Sequence, residues 1–193
     1  MTEKTTPSEP MTRQRADELI AAHSRSLVAE SLCREPRVSV CTVTYRQERF
    51  IRQTLDSALA QKTTFPLEIV VGDDHSPDGT TAIVQDYQRR YPERIQVLWA
   101  EENLGRYTGN GRLNFFRTLA ACRGEYVAIL EGDDYWTDPH KLQKQVAFLD
   151  AHPECTLCCH AVQYVFEGTE RPPLRAPLAA KPISTLEDVL GDH

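Results

Sequence analysis

Between residues 38 and 151 the chain alternates between two periodicities, and that alternation limits the folds open to it. Val38-Ser-Val-Cys-Thr-Val-Thr44 is a β-branched run and reads as a strand. Ile51, Leu55, Ala58 and Leu59 follow at helical spacing. Residues 67–71 predict a second strand, and Ile83, Tyr87 and Tyr91 a second helix entered through the turn Ser76-Pro-Asp-Gly79. Residues 95–98 predict a third strand, and Leu113, Phe116 and Ala120 a third helix. Residues 126–130 hold almost no polar position, so a fourth strand covered on both faces is expected. Asp138-Pro139 offers an N-cap and then proline at the first helical position, with Leu142, Val146 and Leu149 as the inner face of a fourth helix. Residues 156–166 read as a further, buried strand. Strands and helices in this order predict an α/β fold, a mostly parallel sheet with helices on both faces. Ligands of such sheets sit at the C-terminal ends of the strands.

The flanks read differently. Residues 1–35 predict a polar N-terminal extension, partly helical or disordered. Leu19, Ile20, Leu27, Val28 and Leu32 suggest a helix within 12–34, and Glu35-Pro36 ends it. The sheet domain is expected over 36–167. Residues 168–193 predict a proline-rich loop and the start of another region, with Ser184-Thr185 capping a helix at 186–190. A domain seldom ends just as a helix begins, so the reading is of a chain incomplete at its C-terminus. The longest apolar run is far short of the ~20 residues a membrane helix needs, and no secretory leader is visible. The compartment expected is therefore the cytoplasm, with peripheral contact at the inner membrane face left open.

Charge and cysteine content narrow the partners. With 22 Lys and Arg against 28 Asp and Glu, the net charge of −6 argues against nucleic acid. Six cysteines without a leader read as reduced thiols. Cys155, Cys158 and His160 hint at zinc, but a second ligand pair is missing, and buried packing is the favoured reading.

The residues that follow each strand make the ligand edge. Asp133-Asp134 follows the fourth strand. Adjacent carboxylates repel unless something positive joins them, and a hard divalent cation holding a diphosphate would do so. The alternative is a solvated acidic turn. Asp73-Asp74 follows the second strand, where a carboxylate could accept from a nucleobase N–H or ribose hydroxyls, the alternative being an Asx-turn. Tyr45 could stack on a base or be a half-buried core tyrosine. His75 shows no evident partner and reads as loop. The first strand-to-helix turn holds no glycine, which argues against a dinucleotide fingerprint or a P-loop. Phosphate charge would then be met by metal and arginine.

Val38 to Tyr45, Glu68-Ile-Val-Val-Gly-Asp-Asp74 with Ser76 and Asp78-Gly-Thr80, Asn103-Leu-Gly105, and Gly124-Glu-Tyr-Val-Ala-Ile-Leu-Glu-Gly-Asp-Asp-Tyr-Trp136 together resemble the family 2 glycosyltransferases. The similarity covers roughly residues 36–167. It implies a GT-A fold and an inverting transfer of sugar from a UDP-, GDP- or dTDP-sugar to a glycan or lipid-linked acceptor. It also implies Mn²⁺ or Mg²⁺, and a role in cell-surface polysaccharide synthesis. By position, Thr44 and Tyr45 would line the nucleoside pocket with Glu48 nearby. Asp74 would contact the base and Asp73 support its loop. Arg112 falls near the nucleotide, and Asp133-Asp134 would be the DXD-type motif, Asp134 being the direct metal ligand. Glu131 stands where many members have Asp, and Arg46 where Asn is usual. The catalytic base would lie beyond His193. Rival readings are a donor-binding but inactive fragment, a nucleotidyltransferase, and an interaction module built on the 12–34 helix.

Overall fold

In a computed structural model, residues 11–166, 168 and 170–175 are described. The expected disorder over residues 1–10 and the helix at 186–190 lie outside them. The chain divides into two compact units, one up to Gln143 and one from Lys144.

The first unit is built on a five-stranded sheet of order β1-β4-β3-β2-β5. Its strands are β1 (Ser24–Leu27), β2 (Val38–Thr44), β3 (Leu67–Asp73), β4 (Ile95–Ala100) and β5 (Tyr126–Ile129). Pairings β2–β3, β2–β5 and β3–β4 are parallel, and β1 runs antiparallel to β4. β3 is buried at every position and β2 at all but one. Burial of alternate residues on both sides requires cover on both faces, the expected consequence of right-handed crossovers. The helices are α1 (Arg13–His23), α2 (Ile51–Leu59), α3 (Thr80–Arg90), α4 (Gly105–Thr108) and α5 (Arg112–Ala120). Ile51, Leu55 and Ala58 of α2 are fully buried, as their spacing predicts. A last helix, α6 (Lys141–Ala151), follows Asp138, whose side chain accepts from His140 N at 2.8 Å.

Four expectations are corrected. The N-terminal helix stops at His23, and the Ser-Arg-Ser that follows joins the sheet, because the β4 edge offers backbone partners: Glu101 N donates to His23 O at 2.7 Å, and Ser24 pairs with Ala100. The buried side of α5 is Leu113, Asn114, Arg117 and Thr118, whereas Phe116 is half exposed. Carbonyls at the ends of β3 and β4 need donors there, and Asn114 and Arg117 supply them. β5, the last strand of the sheet among the described residues, has one uncovered face: the alternate residues Val127 and Ile129 are 40% and 55% exposed rather than covered. In the second unit, the strand expected over 156–166 shrinks to β6 (Gln163–Tyr164), paired antiparallel with β7 (Leu174–Arg175). An extended segment needs a backbone partner, and among the described residues of that unit Leu174 and Arg175 supply it. Its apolar side chains Leu157, Val165 and Phe166 are exposed.

Candidate functional site

Strand register brings the expected site residues to one edge. Thr44 at the end of β2 pairs with Asp73 at the end of β3, and Asp73 with Trp99 of β4. The backbone beyond β5 stays in line with β2: Leu130 N donates to Cys41 O at 3.0 Å and Gly132 N to Val43 O at 2.9 Å. The 131–136 turn is then pinned to α2, where Thr54 Oγ1 donates to Gly132 O at 2.9 Å and Trp136 N to Ser57 Oγ at 3.1 Å. This holds Asp133 and Asp134 outward, both exposed, with Asp134 N donating to Glu131 O. Burial, then the charges of Asp133 and Asp134, push the Glu131 carboxyl up from its ordinary value. Three carboxyl groups thus share one field.

Beneath that turn the packing is tight. A Cβ on Gly132 would meet Gln47 Oε1 and lie 2.9 Å from Thr44 Oγ1. Both oxygens are buried and lack a hydrogen-bond partner. Buried polar atoms are seldom left so. A cation or sugar donor at this edge would supply polar groups at hand. Gln47 was not singled out by the sequence, because a lone Gln in a loop carries no pattern.

The other acidic pair is enclosed. Asp73 Oδ1 accepts from Ser76 Oγ at 2.5 Å, and its Oδ2 from Thr81 Oγ1. Asp74 Oδ1 accepts from Leu104 N at 2.8 Å, and Oδ2 from Gly105 N at 3.1 Å and Asn103 Nδ2 at 3.2 Å. Burial raises the Asp74 carboxyl above its ordinary value despite those amides and the nearby Arg117. The pair therefore fixes two loops, 73–78 and 103–105, relative to one another. Arg117 lies behind them, 3% exposed. Its Nη2 donates to Asp73 O at 2.6 Å and to Asn114 Oδ1 at 2.8 Å, while Asn114 Nδ2 donates to Gly72 O at 2.9 Å. Burial lowers the Arg117 guanidinium to about 10, with Asp74 and Asp73 pulling it back up. It stays charged at neutral pH. Sequence reading missed both residues, though a polar pair three apart in an otherwise apolar-patterned helix was the available signal.

Glu48 closes the next loop: its Oε2 accepts from Gly79 N at 3.0 Å. Asp78, just before the Gly79 cap of α3, ties down Thr80, accepting from its N at 3.1 Å and its Oγ1 at 2.6 Å. Tyr45 is 41% exposed, with the Arg46 guanidinium 6.0 Å from its ring centre. Arg46 and His75, each two residues beyond the end of its strand (β2 and β3), are the non-glycine residues with positive φ among the described residues, 58° and 60°. That region suits Asn or Gly better than Arg or His. His75 does have a partner, its Nδ1 lying 3.2 Å from Ala100 O. Arg112 opens α5 and is exposed; its N donates to Asn110 Oδ1 at 3.0 Å. A cavity of about 720 Å³ lies at the opposite end of the sheet, bounded by Phe65, Arg94 and His140, away from all of these. Among the described residues no group of three or more His, Cys, Asp or Glu is arranged to hold a metal unaided. Asp133 and Asp134 offer hard oxygen donors suited to Mg²⁺ or Mn²⁺ when ligand oxygens complete the shell. No helix among the described residues is long and apolar enough to cross a membrane.

Comparison with known proteins identifies the family. An uncharacterized protein of Mycobacterium tuberculosis is 45% identical over 141 residues, 71% of this chain and 39% of the relative. TuaG of Bacillus subtilis, named as a teichuronic acid biosynthesis glycosyltransferase, is 37% identical over 60% of this chain and 42% of its own. Staphylococcus aureus TarS residues 1–349, solved with UDP-GlcNAc, superposes with a TM-score of 0.51 at 34% identity, over 61% of this chain and 32% of that one. The mannosyltransferase PcManGT of Pyrobaculum calidifontis, solved with GDP-Man and Mn²⁺, gives 0.51 at 25% identity, over 70% and 38%. The chain spans about two-fifths of the length of the curated relatives it matches. The sequence model for glycosyl transferase family 2 matches residues 39–191, and with a fold shared with solved glycosyltransferases this chain belongs to that family.

Proposed function

We propose that this edge binds a nucleotide-sugar donor for an inverting, metal-dependent glycosyl transfer in cell-surface polysaccharide synthesis. The observation that carries the reading is the exposed Asp133-Asp134 pair, held rigidly beside Thr44 and Gln47, whose buried oxygens lack partners. Tyr45 stacks on the base, Thr44 faces the nucleoside, and Glu48 holds the neighbouring loop. Asp73 and Asp74 shape the base-side wall, Asp74 nearest the base, and Arg112 offers positive charge to phosphate. Asp134, with Asp133, would hold a Mn²⁺ or Mg²⁺ ion, which when bound neutralises diphosphate charge on the leaving nucleotide. The acceptor is a glycan or lipid-linked hydroxyl.

Calorimetry with UDP and GDP, with and without Mn²⁺, tests the reading. Binding should require metal and weaken at least tenfold in Asp134→Ala. Binding indifferent to both metal and Asp134→Ala would overturn the metal role. No binding of any nucleotide would overturn the donor site.

A further inference from the structure

The stretch that matches the family begins at residue 39, yet residues 12–27 are built into the walls of the candidate site. Thr12 caps α1, its Oγ1 accepting from Arg15 N at 3.2 Å. Leu19 of α1 is buried with Ala100, Leu104 and Leu113, and Ala16, Ile20 and Tyr107 pack around them. His23 Nε2 donates to Glu102 Oε1 at 3.0 Å, and its ring stacks on Tyr107, whose hydroxyl donates to the same carboxylate. Arg25 pairs with Glu101 at 2.7 Å. The His23 and Arg25 pairs and the Leu19 packing grip the 100–107 wall, the wall whose Leu104 and Gly105 amides hold Asp74.

The second wall is reached through Arg117. Its Nη1 donates to Ser24 Oγ at 3.2 Å while its Nη2 donates to Asp73 O. Ser24 is the described partner of Nη1. A buried guanidinium is fixed only as well as its donors are satisfied. Rotation of this one would release Asp73 O and Asn114 together.

We infer that residues 12–27 form a positioning strap for the donor site, with Ser24 setting the Arg117 geometry that holds the 73–78 loop. The inference rests on the donor-binding reading above, and it gives the N-terminal segment a share in nucleotide affinity. Ser24 touches no ligand; it acts through Arg117.

The test compares wild type, Ser24→Ala and Ser24→Thr. Nucleotide affinity is measured by calorimetry with UDP, GDP and dTDP plus Mn²⁺ far below the melting temperature. Tm and amide exchange over 73–78 are measured alongside. Ser24→Ala should weaken binding about three- to tenfold, the weight of one hydrogen bond. Tm should move by no more than about 2–4 °C, and 73–78 should exchange faster. Ser24→Thr, which keeps the hydroxyl, should restore both. Unchanged affinity and exchange in Ser24→Ala would overturn the strap. So would a loss that follows Tm and is not rescued by threonine. A wild-type chain that binds none of UDP, GDP and dTDP removes the donor-binding reading, and the strap with it. The wild-type measurement thus separates the two failures.

Discussion

Gly72-Asp73-Asp74 and Gly132-Asp133-Asp134 are the same tripeptide at the ends of two strands flanking β2, and the fold uses them in opposite ways. The first pair is 1–3% exposed, and its carboxylates are consumed by hydroxyls and backbone amides. The second is exposed, and its backbone is tied to α2 and to Glu131. What separates them is the neighbour. Beyond β3 lie α5 and the 103–105 turn, which bring Arg117, Asn103 and two amides. Beyond β5 the chain leaves Asp133 and Asp134 at the surface. A carboxylate pair becomes architecture where buried donors enclose it and stays within a ligand's reach where it remains at the surface.

The sharpest challenge to this contrast is Arg117→Ala. It strands Asp73 and Asp74 beside a vacated cationic position, and chemical denaturation should show a loss of about 3–5 kcal/mol. A loss below about 1 kcal/mol would mean the first pair is not held as described. Asp74→Ala should follow at roughly 3 kcal/mol, since two buried amides lose their acceptor. Its pH dependence has a defined sign. The Asp74 carboxyl is raised in the folded state, so its contribution is greatest below the ordinary value and declines as pH rises through the raised one. The stability gap between wild type and Asp74→Asn should therefore be widest near pH 3 and narrow toward neutrality.

Gly72→Ala comes next. Its Cβ would collide with Thr118 Oγ1 and lie 2.9 Å from Asn114 Oδ1, and a loss of about 1–3 kcal/mol is expected in thermal unfolding. By contrast, Asp133→Ala should change stability by no more than about 0.5 kcal/mol, with its effect confined to metal-dependent nucleotide binding. A large stability loss there would erase the distinction between the two tripeptides. The smallest effect should be Arg46→Asn, a gain of up to about 1 kcal/mol from relieving a left-handed backbone, read as a higher denaturation midpoint.

Much of the fold could be read from periodicity. Val38–Thr44 and Leu67–Asp73 are rich in β-branched residues because both their faces are covered, and Ile51, Leu55 and Ala58 mark their helix because one face is. The same logic misled at residues 126–129, where an apolar run lies at a sheet edge: composition reports what a strand can tolerate, not who stands beside it. It misled again at Phe116, since α5 turns its polar Asn114 and Arg117 inward to serve strand carbonyls. The acidic turns were visible as motifs, but which one is enclosed depends on donors far away along the chain. Arg117 lies 44 residues from the carbonyl it holds. Gln47 and Ser24 carry no local signature, because their importance comes only from where the sheet puts them.

Among the described residues no strand pairs with the outer side of β5, and that has a practical side. An unpaired strand edge, with Val127 and Ile129 exposed on the face beside it, is a template onto which an extended peptide can be added. At four residues the template is short, so its grip on any one visitor is weak. In concentrated solution, however, copies of this chain have a ready way to stick to one another, and a lysine at position 129 is the simplest means of keeping them apart.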